Sequence, residues 1–199
     1  MQFALLGDIH SSKEDLQAVL AQIANEAPEA TLIGTGDLYE CTVSKKDLHG
    51  QIYHTIEEVI KHPDGIDELF TFSSIYGNQE QRILLLTKQT EPIRDFLNDL
   101  PETLKIDEAI IIHGHQWPHN EAAAWLAEHL PESRVVFHGH THRSGITSDG
   151  KHIAINWNEE MSVRGSRTVV NVGAVVGSRE WVLYDSEEQT VRFMKVSQR

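Results

Sequence analysis

The feature that most limits how this chain can fold is a pattern that occurs five times, in which a short apolar run ends beside a glycine and a polar side chain. The polar residues are Asp8, Asp37, Asn78, His113 and His140, and each of them adjoins a glycine. Glycine lets the backbone turn sharply and come close to a ligand. Because ligands in α/β sheets bind beyond the carboxyl ends of the strands, the pattern predicts one polar site at a sheet edge.

The spacing of apolar residues predicts alternating strands and helices over the first two thirds of the chain. Buried strands are predicted at residues 2–6, 30–34, 69–76, 109–112 and 134–137. Helices are predicted from the capping-box pattern Ser11-Ser12-Lys13-Glu14 to Pro28, over 80–99 and over 121–130. A further amphipathic helix is predicted as an insertion at about 41–70, ending near Pro63. That insertion fits a lid over the site and a plain surface helix equally well.

The last third of the chain has a different residue pattern, with short β runs and turns from about residue 144. Asp149-Gly150 is a strong hairpin signal, and residues 166–172, 180–185 and 190–196 alternate as strands do. No repeat, low-complexity stretch or linker divides the sequence. We therefore expect one domain over residues 1–199, α/β at first and mostly β at the end.

The side chains at the predicted strand ends are of the kinds that bind metal ions. Carboxylate, imidazole and amide oxygen suit Mn, Fe, Zn, Co or Ni, and the lack of clustered thiolates excludes iron–sulfur and cysteine-type zinc sites. Seven candidates are too many for one tetrahedral ion but suit two ions about 3.5 to 4 Å apart, as in enzymes that displace groups at phosphorus. They are Asp8, His10, Asp37, Asn78, His113, His140 and His142.

The net charge limits the kinds of molecule that the chain is expected to bind. The formal net charge is −13, which should repel DNA, RNA and acidic membranes, whereas two divalent ions would make the site itself positive. A small phosphate ester is therefore the expected partner, and a homo-oligomer is left open.

The single cysteine, Cys41, excludes an internal disulfide and suits a reducing compartment, and no run of about 18 apolar residues predicts a membrane span. We expect a cytoplasmic protein.

The ordered motifs resemble those of the calcineurin-like metallophosphoesterase superfamily, and most of all its small bacterial and archaeal single-domain phosphodiesterases. The motifs are Gly7-Asp8-Ile9-His10, Gly36-Asp37, Gly77-Asn78-Gln79-Glu80, His113-Gly114-His115 and Gly139-His140-Thr141-His142. The resemblance covers about residues 1–185 and includes the segment 171–175. It implies an α/β (α+β) fold, a four-layer α-β-β-α sandwich of two mixed β-sheets flanked by helices.

The resemblance also implies a role for each candidate ligand. Asp8, His10 and His142 would hold one divalent ion. Asn78, His113 and His140 would hold a second, and Asp37 would bridge the two. Manganese is the first choice of metal, and Fe, Zn, Co or Ni fit the same ligands. A hydroxide between the ions would attack phosphorus.

The sequence departs from the family at the position after Asn78, where Gln79 stands in place of a frequent histidine. Glutamine can donate a hydrogen bond to a phosphoryl oxygen but cannot deliver a proton. His115 is a candidate replacement donor, although a supporting or packing role is favoured for it. Glu80 is expected to orient a ligand or cap a helix, and His138 to be buried without binding metal.

The sequence therefore predicts a dinuclear metal-dependent phosphoesterase that hydrolyses small phosphodiesters and also phosphomonoesters. The first alternative is a nucleotidase or dinucleoside polyphosphate hydrolase on the same scaffold, which motifs cannot separate from a phosphodiesterase. The second alternative is a protein-binding scaffold like the retromer subunit of this fold, in which the metal site is altered. Cys41 is expected to pack, and no role is assigned to His49, His54, His62, His119, His129 or His152.

Overall fold

The computed structural model describes residues 1–48, 50–118 and 121–197, so His49 and His119 lie outside the described residues. The α-helices are α1 (Lys13–Glu26), α2 (Asn78–Leu86), α3 (Pro92–Asp99) and α4 (Ala122–His129). The strands are β1 (Gln2–Leu6), β2 (Thr31–Gly34), β3 (Glu40–Cys41), β4 (Ile60–Lys61), β5 (Ser73–Ser74), β6 (Thr103–Ile106), β7 (Ala109–Ile112), β8 (Val135–His138), β9 (Gly145–Ser148), β10 (Lys151–Ile153), β11 (Glu160–Ser162), β12 (Thr168–Asn171), β13 (Glu180–Asp185) and β14 (Thr190–Lys195).

Two six-stranded mixed sheets form the centre of the molecule. The first sheet has the order β11-β14-β13-β1-β2-β5, and the second has the order β10-β9-β12-β8-β7-β6. In the first sheet β1 pairs in parallel with β2 and antiparallel with β13. In the second, β8 lies in parallel between β7 and β12. The strands that carry the candidate ligands are therefore mostly the parallel ones, whose carboxyl ends share an edge.

Apolar residues of β1 show how the first sheet is buried on both faces. Phe3 and Leu5 belong to the core between the two sheets, where the ring of Phe137 in β8 lies 5.0 Å from that of Tyr184 in β13. The alternate residues of β1 face outward and pack with the apolar side of α1. A strand buried on both faces is typical of a sheet covered by helices.

The second sheet is covered in the same way on its outer face. Leu126 of α4 packs with Ile112 of β7 and Val136 of β8, and Trp117 and Trp125 extend that cluster. The layers thus run helix, sheet, sheet, helix. The predicted four-layer α-β-β-α sandwich of two mixed sheets is confirmed.

The amphipathic helix predicted within residues 41–70 is wrong for the described part of that segment. Three single 3-10 turns, Lys45–Asp47, Ile56–Glu58 and Asp67–Leu69, take its place, together with the ribbon of β3 and β4. Of the apolar residues that suggested a helix, Ile56, Val59 and Ile60 are buried in the core beside α1 by this irregular path, whereas Leu48 and Ile52 are exposed. Tertiary packing has overridden the periodicity, because the backbone near Val59 pairs with β3 and Thr42.

Two other predicted elements are shorter than expected. The helix expected over 80–99 is split, because Pro92 cannot donate a backbone hydrogen bond and instead begins α3 at its first turn. The strand expected at 69–76 is reduced to β5, which pairs with the end of β2. The hairpin at Asp149-Gly150 is present between β9 and β10. In the described residues, no helix combines the length and apolar character needed to span a membrane.

Candidate metal centre

The turns after five strands meet at one edge of the sandwich. Asp8 and His10 follow β1, Asp37 follows β2, and Asn78 begins α2 just after β5. His113 follows β7, and His140 and His142 follow β8. The structure thus brings together all seven residues that the sequence marked as candidate ligands.

The first group of ligand atoms comprises Asp8, His10 and His142. His142 Nε2 lies 3.5 Å from Asp8 Oδ1 and 3.0 Å from His10 Nε2. The second group comprises Asp37, His113 and His140, with His113 Nε2 at 3.3 Å from Asp37 Oδ2. In each group the ligand atoms lie within 4.8 Å of one another, which is close enough to surround an ion.

Asp37 belongs to the second group and also lies close to the first. Its Oδ2 atom is 3.3 Å from His113 Nε2 in the second group and 3.6 Å from His10 Nε2 in the first. Its Oδ1 atom accepts the backbone N–H of Gln79 at 2.8 Å, which fixes the carboxylate plane. Asp37 therefore has the position that a carboxylate bridging two ions would need.

Three buried ligand atoms lack any hydrogen-bond partner in the described part of the chain. They are Asp8 Oδ1, Asn78 Oδ1 and His113 Nε2. Buried polar atoms in folded proteins are nearly always paired, and leaving one unpaired costs about 1 to 3 kcal/mol. All three are good ligands for divalent cations. The residues present therefore fit a metal centre, because bound ions would satisfy these atoms.

The backbone of the centre is held in an unusual conformation. Asp8, His10, Asp37, His140 and His142 all have positive φ, between 49° and 71°. Non-glycine residues rarely adopt this region, and such residues cluster at functional sites where the surrounding structure imposes them. The fold thus imposes the backbone conformation from which these side chains project.

Glycine at two turns allows the close approach of the ligand side chains. A Cβ atom at Gly77 would lie 2.1 Å from Asp37 Oδ1, and one at Gly139 would lie 2.5 Å from Asp8 Oδ2. Both distances are well inside van der Waals contact. The glycines of the sequence pattern are therefore needed at these two positions to leave room for ligand carboxylates.

Hydrogen bonds behind the ligands fix their orientation. His113 Nδ1 contacts the carbonyl oxygen of Thr35 at 2.8 Å, which makes it the protonated nitrogen and leaves Nε2 free to bind metal. Asp8 Oδ2 accepts the backbone N–H of His140 at 2.8 Å. Asn171 Nδ2 donates to Thr141 Oγ1 at 2.8 Å and so ties down the turn that carries both histidines after β8.

Electrostatics of the site centre on two buried carboxyl groups. Burial raises the pKa of Asp37, but the positive charge of the neighbouring His113, when protonated, outweighs burial and lowers that pKa to about 2. Burial raises the pKa of Glu80 to about 7, and the charge of Asp37 adds to the rise. Glu80 is fully buried and accepts the backbone N–H groups of Gly77 and residues 37–39. It holds the turn after β2 against the start of α2.

Glu40 is a supporting residue that sequence reasoning missed. Its carboxylate contacts His10 Nδ1, which leaves His10 Nε2 facing Asp8 and Asp37. Ligating histidines commonly use such a partner to fix the ring and raise its basicity. The sequence carried no signal for this contact, because Glu40 lies in β3 and reaches His10 only through the fold.

Replacing Glu40 with glutamine is expected to weaken Mn²⁺ binding by about tenfold to a hundredfold, the usual contribution of a carboxylate that orients a ligating imidazole. Titration calorimetry on the metal-free protein measures this affinity directly. The matched control is Glu57→Gln, which removes an exposed carboxylate from the same segment. Equal affinities for the two variants would show that Glu40 does not support a ligand.

The structure also bears on the expectations for His115, His138 and Cys41. His115 lies beside His113, and burial and the charge of His113 lower its pKa to about 4. A ring that is neutral at pH 7 is a poor proton donor, which favours the packing role for His115. Burial also lowers the pKa of His138 to about 4, and His138 belongs to neither ligand group. Burial raises the pKa of the Cys41 thiol, in keeping with packing.

The segment after β3 borders the centre. Burial lowers the pKa of His140, and the positive charges of His113 and Lys45 lower it further. Lys45 lies in the first 3-10 turn of that segment, so a charge from residues 41–70 acts on the second ligand group. A role for residues 41–70 as a lid stays a prediction.

The whole chain is similar to known phosphoesterases. A family model described as the calcineurin-like phosphoesterase superfamily domain matches residues 1–198. A metallophosphoesterase from Sphaerobacter thermophilus has a TM-score of 0.70 and 18% identity, over 100% of this chain and 90% of that chain. An archaeal phosphodiesterase has a TM-score of 0.53 and 19% identity, over 98% and 99%. At such identities the two structures show the shared fold alone. No curated protein matches the sequence.

Proposed function

Because this chain belongs to the calcineurin-like phosphoesterase superfamily, we propose that it is a metal-dependent hydrolase of small phosphodiesters that also accepts phosphomonoesters. The observation that carries the proposal is the convergence of buried ligand atoms without partners on the two sides of Asp37. Bound divalent ions would satisfy these atoms, which are ligand types that such ions prefer. The acidic net charge of −13 supports a small anionic substrate over a nucleic-acid polymer.

In this proposal Asp8, His10 and His142 would hold one divalent ion, Asn78, His113 and His140 would hold another, and Asp37 would contribute to both. When bound, such ions activate a water molecule and neutralise charge on the phosphoryl oxygens. The chain itself contributes orientation. Its positive-φ turns, its glycines, the Glu40 carboxylate behind His10 and the Thr35 carbonyl behind His113 orient the ligand side chains before a substrate arrives.

Neither of the two described candidates, Gln79 and His115, is well suited to protonate the leaving oxygen. Gln79 has no proton to give at a useful pKa, and His115 is neutral at pH 7. The leaving group must therefore depart as an anion or take its proton from water. Substrate choice is then governed strongly by the acidity of the leaving alcohol.

Hydrolysis is expected to be about 10²- to 10⁴-fold faster for aryl phosphodiesters than for matched alkyl phosphodiesters, the range that general-acid catalysis usually supplies. The test measures kcat/KM of the Mn²⁺-loaded protein over a series of methyl aryl phosphates of graded leaving-group pKa. Rates should rise steeply as that pKa falls. A flat series would reveal a proton donor that the proposal lacks.

Turnover and metal content together decide between this proposal and its rivals. Fewer than about one bound ion per chain in metal analysis, and no hydrolysis of an activated aryl diester with added Mn²⁺, would overturn the enzyme proposal in favour of a protein-binding scaffold. Repeating the analysis with Fe, Zn, Co and Ni identifies the preferred metal. Product analysis with cyclic nucleotides, dinucleoside polyphosphates and mononucleotides separates the phosphodiesterase from a nucleotidase or a polyphosphate hydrolase.

A further inference from the structure

The side-chain amide of Gln79 is held in one orientation. Its Oε1 atom accepts the backbone N–H of Cys41 at 3.0 Å and also a guanidinium N–H of Arg82. Its Nε2 atom has no hydrogen-bond partner in the described residues. The amide thus uses its acceptor within the protein and keeps two donor hydrogens unused.

Gln79 stands directly beside the metal centre. It follows the candidate ligand Asn78 in the first turn of α2, and its backbone N–H donates to Asp37 at 2.8 Å. Only 8% of the residue is exposed. A substrate phosphoryl group held between the ligand groups would therefore meet this part of α2.

Arg82 is unusual for a buried arginine. It is 9% exposed, its Nε atom has no partner, and none of the ion pairs among the described residues involves it. A buried charge without an opposite charge is costly to stability. An arrangement that costs stability but fixes a neighbour at a binding site is more readily explained by function than by folding.

We infer that Arg82 is a positioning residue, which together with the backbone of Cys41 locks Gln79 so that its amide N–H groups face the phosphoryl group. This inference rests on the proposed function and deepens it. Both partners of Oε1 are purely donors, because a guanidinium and a backbone N–H have nothing to accept with. Rotating the amide by half a turn would place donors against donors, so the rotated state is excluded.

The orientation matters because the two ends of an amide have opposite polarity. Nε2 can donate to a phosphoryl oxygen as negative charge develops on it, which stabilises the transition state. Oε1 in the same place would repel that oxygen. Gln79 alone has no means of choosing between these states, so the choice belongs to Arg82 and Cys41.

The first experiment is a double-mutant cycle on Gln79 and Arg82 with an activated aryl phosphodiester and Mn²⁺. Gln79→Ala is expected to lower kcat about a hundredfold, the loss typical of a single donor to developing charge. Arg82→Met is expected to lower kcat about tenfold with little change in KM, and Arg82→Lys, which keeps a donor, to recover most of that loss. Arg82→Met should then add nothing in the Gln79→Ala background.

Additive losses would overturn the inference, because they would mean that Arg82 acts without Gln79. A rise in KM with unchanged kcat would also overturn it, since the guanidinium would then contact the substrate itself. The matched control is Arg94→Met, which removes an arginine bonded to the carbonyls of Leu84 and Thr87 at the other end of α2. That variant should keep kcat within about twofold, since it touches no group of the site.

The second experiment needs neither metal nor turnover, so it separates this inference from the proposed function. In ¹⁵N-labelled metal-free protein, the side-chain amide of Gln79 is assigned by comparison with Gln79→Ala. A side chain locked in one orientation gives a high ¹⁵N order parameter at Nε2. Arg82→Met should lower that order parameter, and Arg94→Met should not. An unchanged amide in Arg82→Met refutes the inference, whereas a wild-type protein without turnover refutes only the proposed function.

Discussion

Replacing Asp37 with asparagine is expected to lower kcat for an activated aryl phosphodiester by about a thousandfold or more, because one carboxylate serves both ligand groups. Asp37 Oδ2 is the atom that lies within 3.6 Å of histidine nitrogens from each group. Asparagine removes the negative charge between two positions that would each hold a divalent cation. Those cations would then repel each other without screening.

The asparagine variant separates chemistry from folding. It keeps an oxygen that can accept the Gln79 N–H, so the start of α2 stays attached, whereas Asp37→Ala would remove that contact as well. Asp185→Asn is the matched control, since Asp185, the last residue of β13, also accepts backbone N–H groups but from the turn that leads to β14. Kinetic constants and bound metal are measured for Asp37→Asn, Asp37→Ala and Asp185→Asn. Activity within tenfold of wild type in Asp37→Asn would show that Asp37 does not bridge.

Replacing Glu80 with glutamine is expected to lower the free energy of unfolding by about 3 kcal/mol or more, because backbone donors are left unpaired in the interior. Glu80 Oε2 accepts from Asp37 and Gly77, and Oε1 accepts from Leu38 and Tyr39. Glutamine offers one oxygen, and its amide N–H groups would face two of these donors. The same change would loosen the turn that carries Asp37.

Urea unfolding of the metal-free protein at pH 8 measures this loss, above the pKa of about 7 to which burial raises Glu80. Glu91→Gln is the matched control, because within the described ranges Glu91 accepts a single backbone N–H, that of Ile56. Its loss should stay near about 1 kcal/mol. Equal losses in the two variants would mean that Glu80 does not hold the turn as a carboxylate.

Sequence pattern predicted the layers and the place of the site, because both follow from local signals. The glycine and polar residue after each apolar run mark where a buried strand must end, and parallel strands bring those ends together. The seven candidate ligands were found this way. Their metal-binding roles stay predictions until ions are measured.

The same pattern failed where contacts between distant residues decide. Apolar spacing at Ile56, Val59 and Ile60 matched a helix, yet these residues are buried by turns that pair with β3. Periodicity gives no signal for the contact of Glu40 with His10, which are brought together only by the fold. Nor does it show that Arg82, one helical turn after Gln79, shares the Gln79 oxygen with the backbone of Cys41. Pro92 was the one local signal that pointed to the true break between α2 and α3.

Each ligand group draws its residues from both sheets. Asp8 and His10 come from the first sheet and His142 from the second, while Asp37 comes from the first and His113 from the second. An ion bound by either group would therefore cross-link the two sheets along one edge of the sandwich. Metal binding and the stability of the contact between the two sheets are then linked. A chelator that removes the ions would therefore destabilise the sandwich along the edge that carries the candidate site.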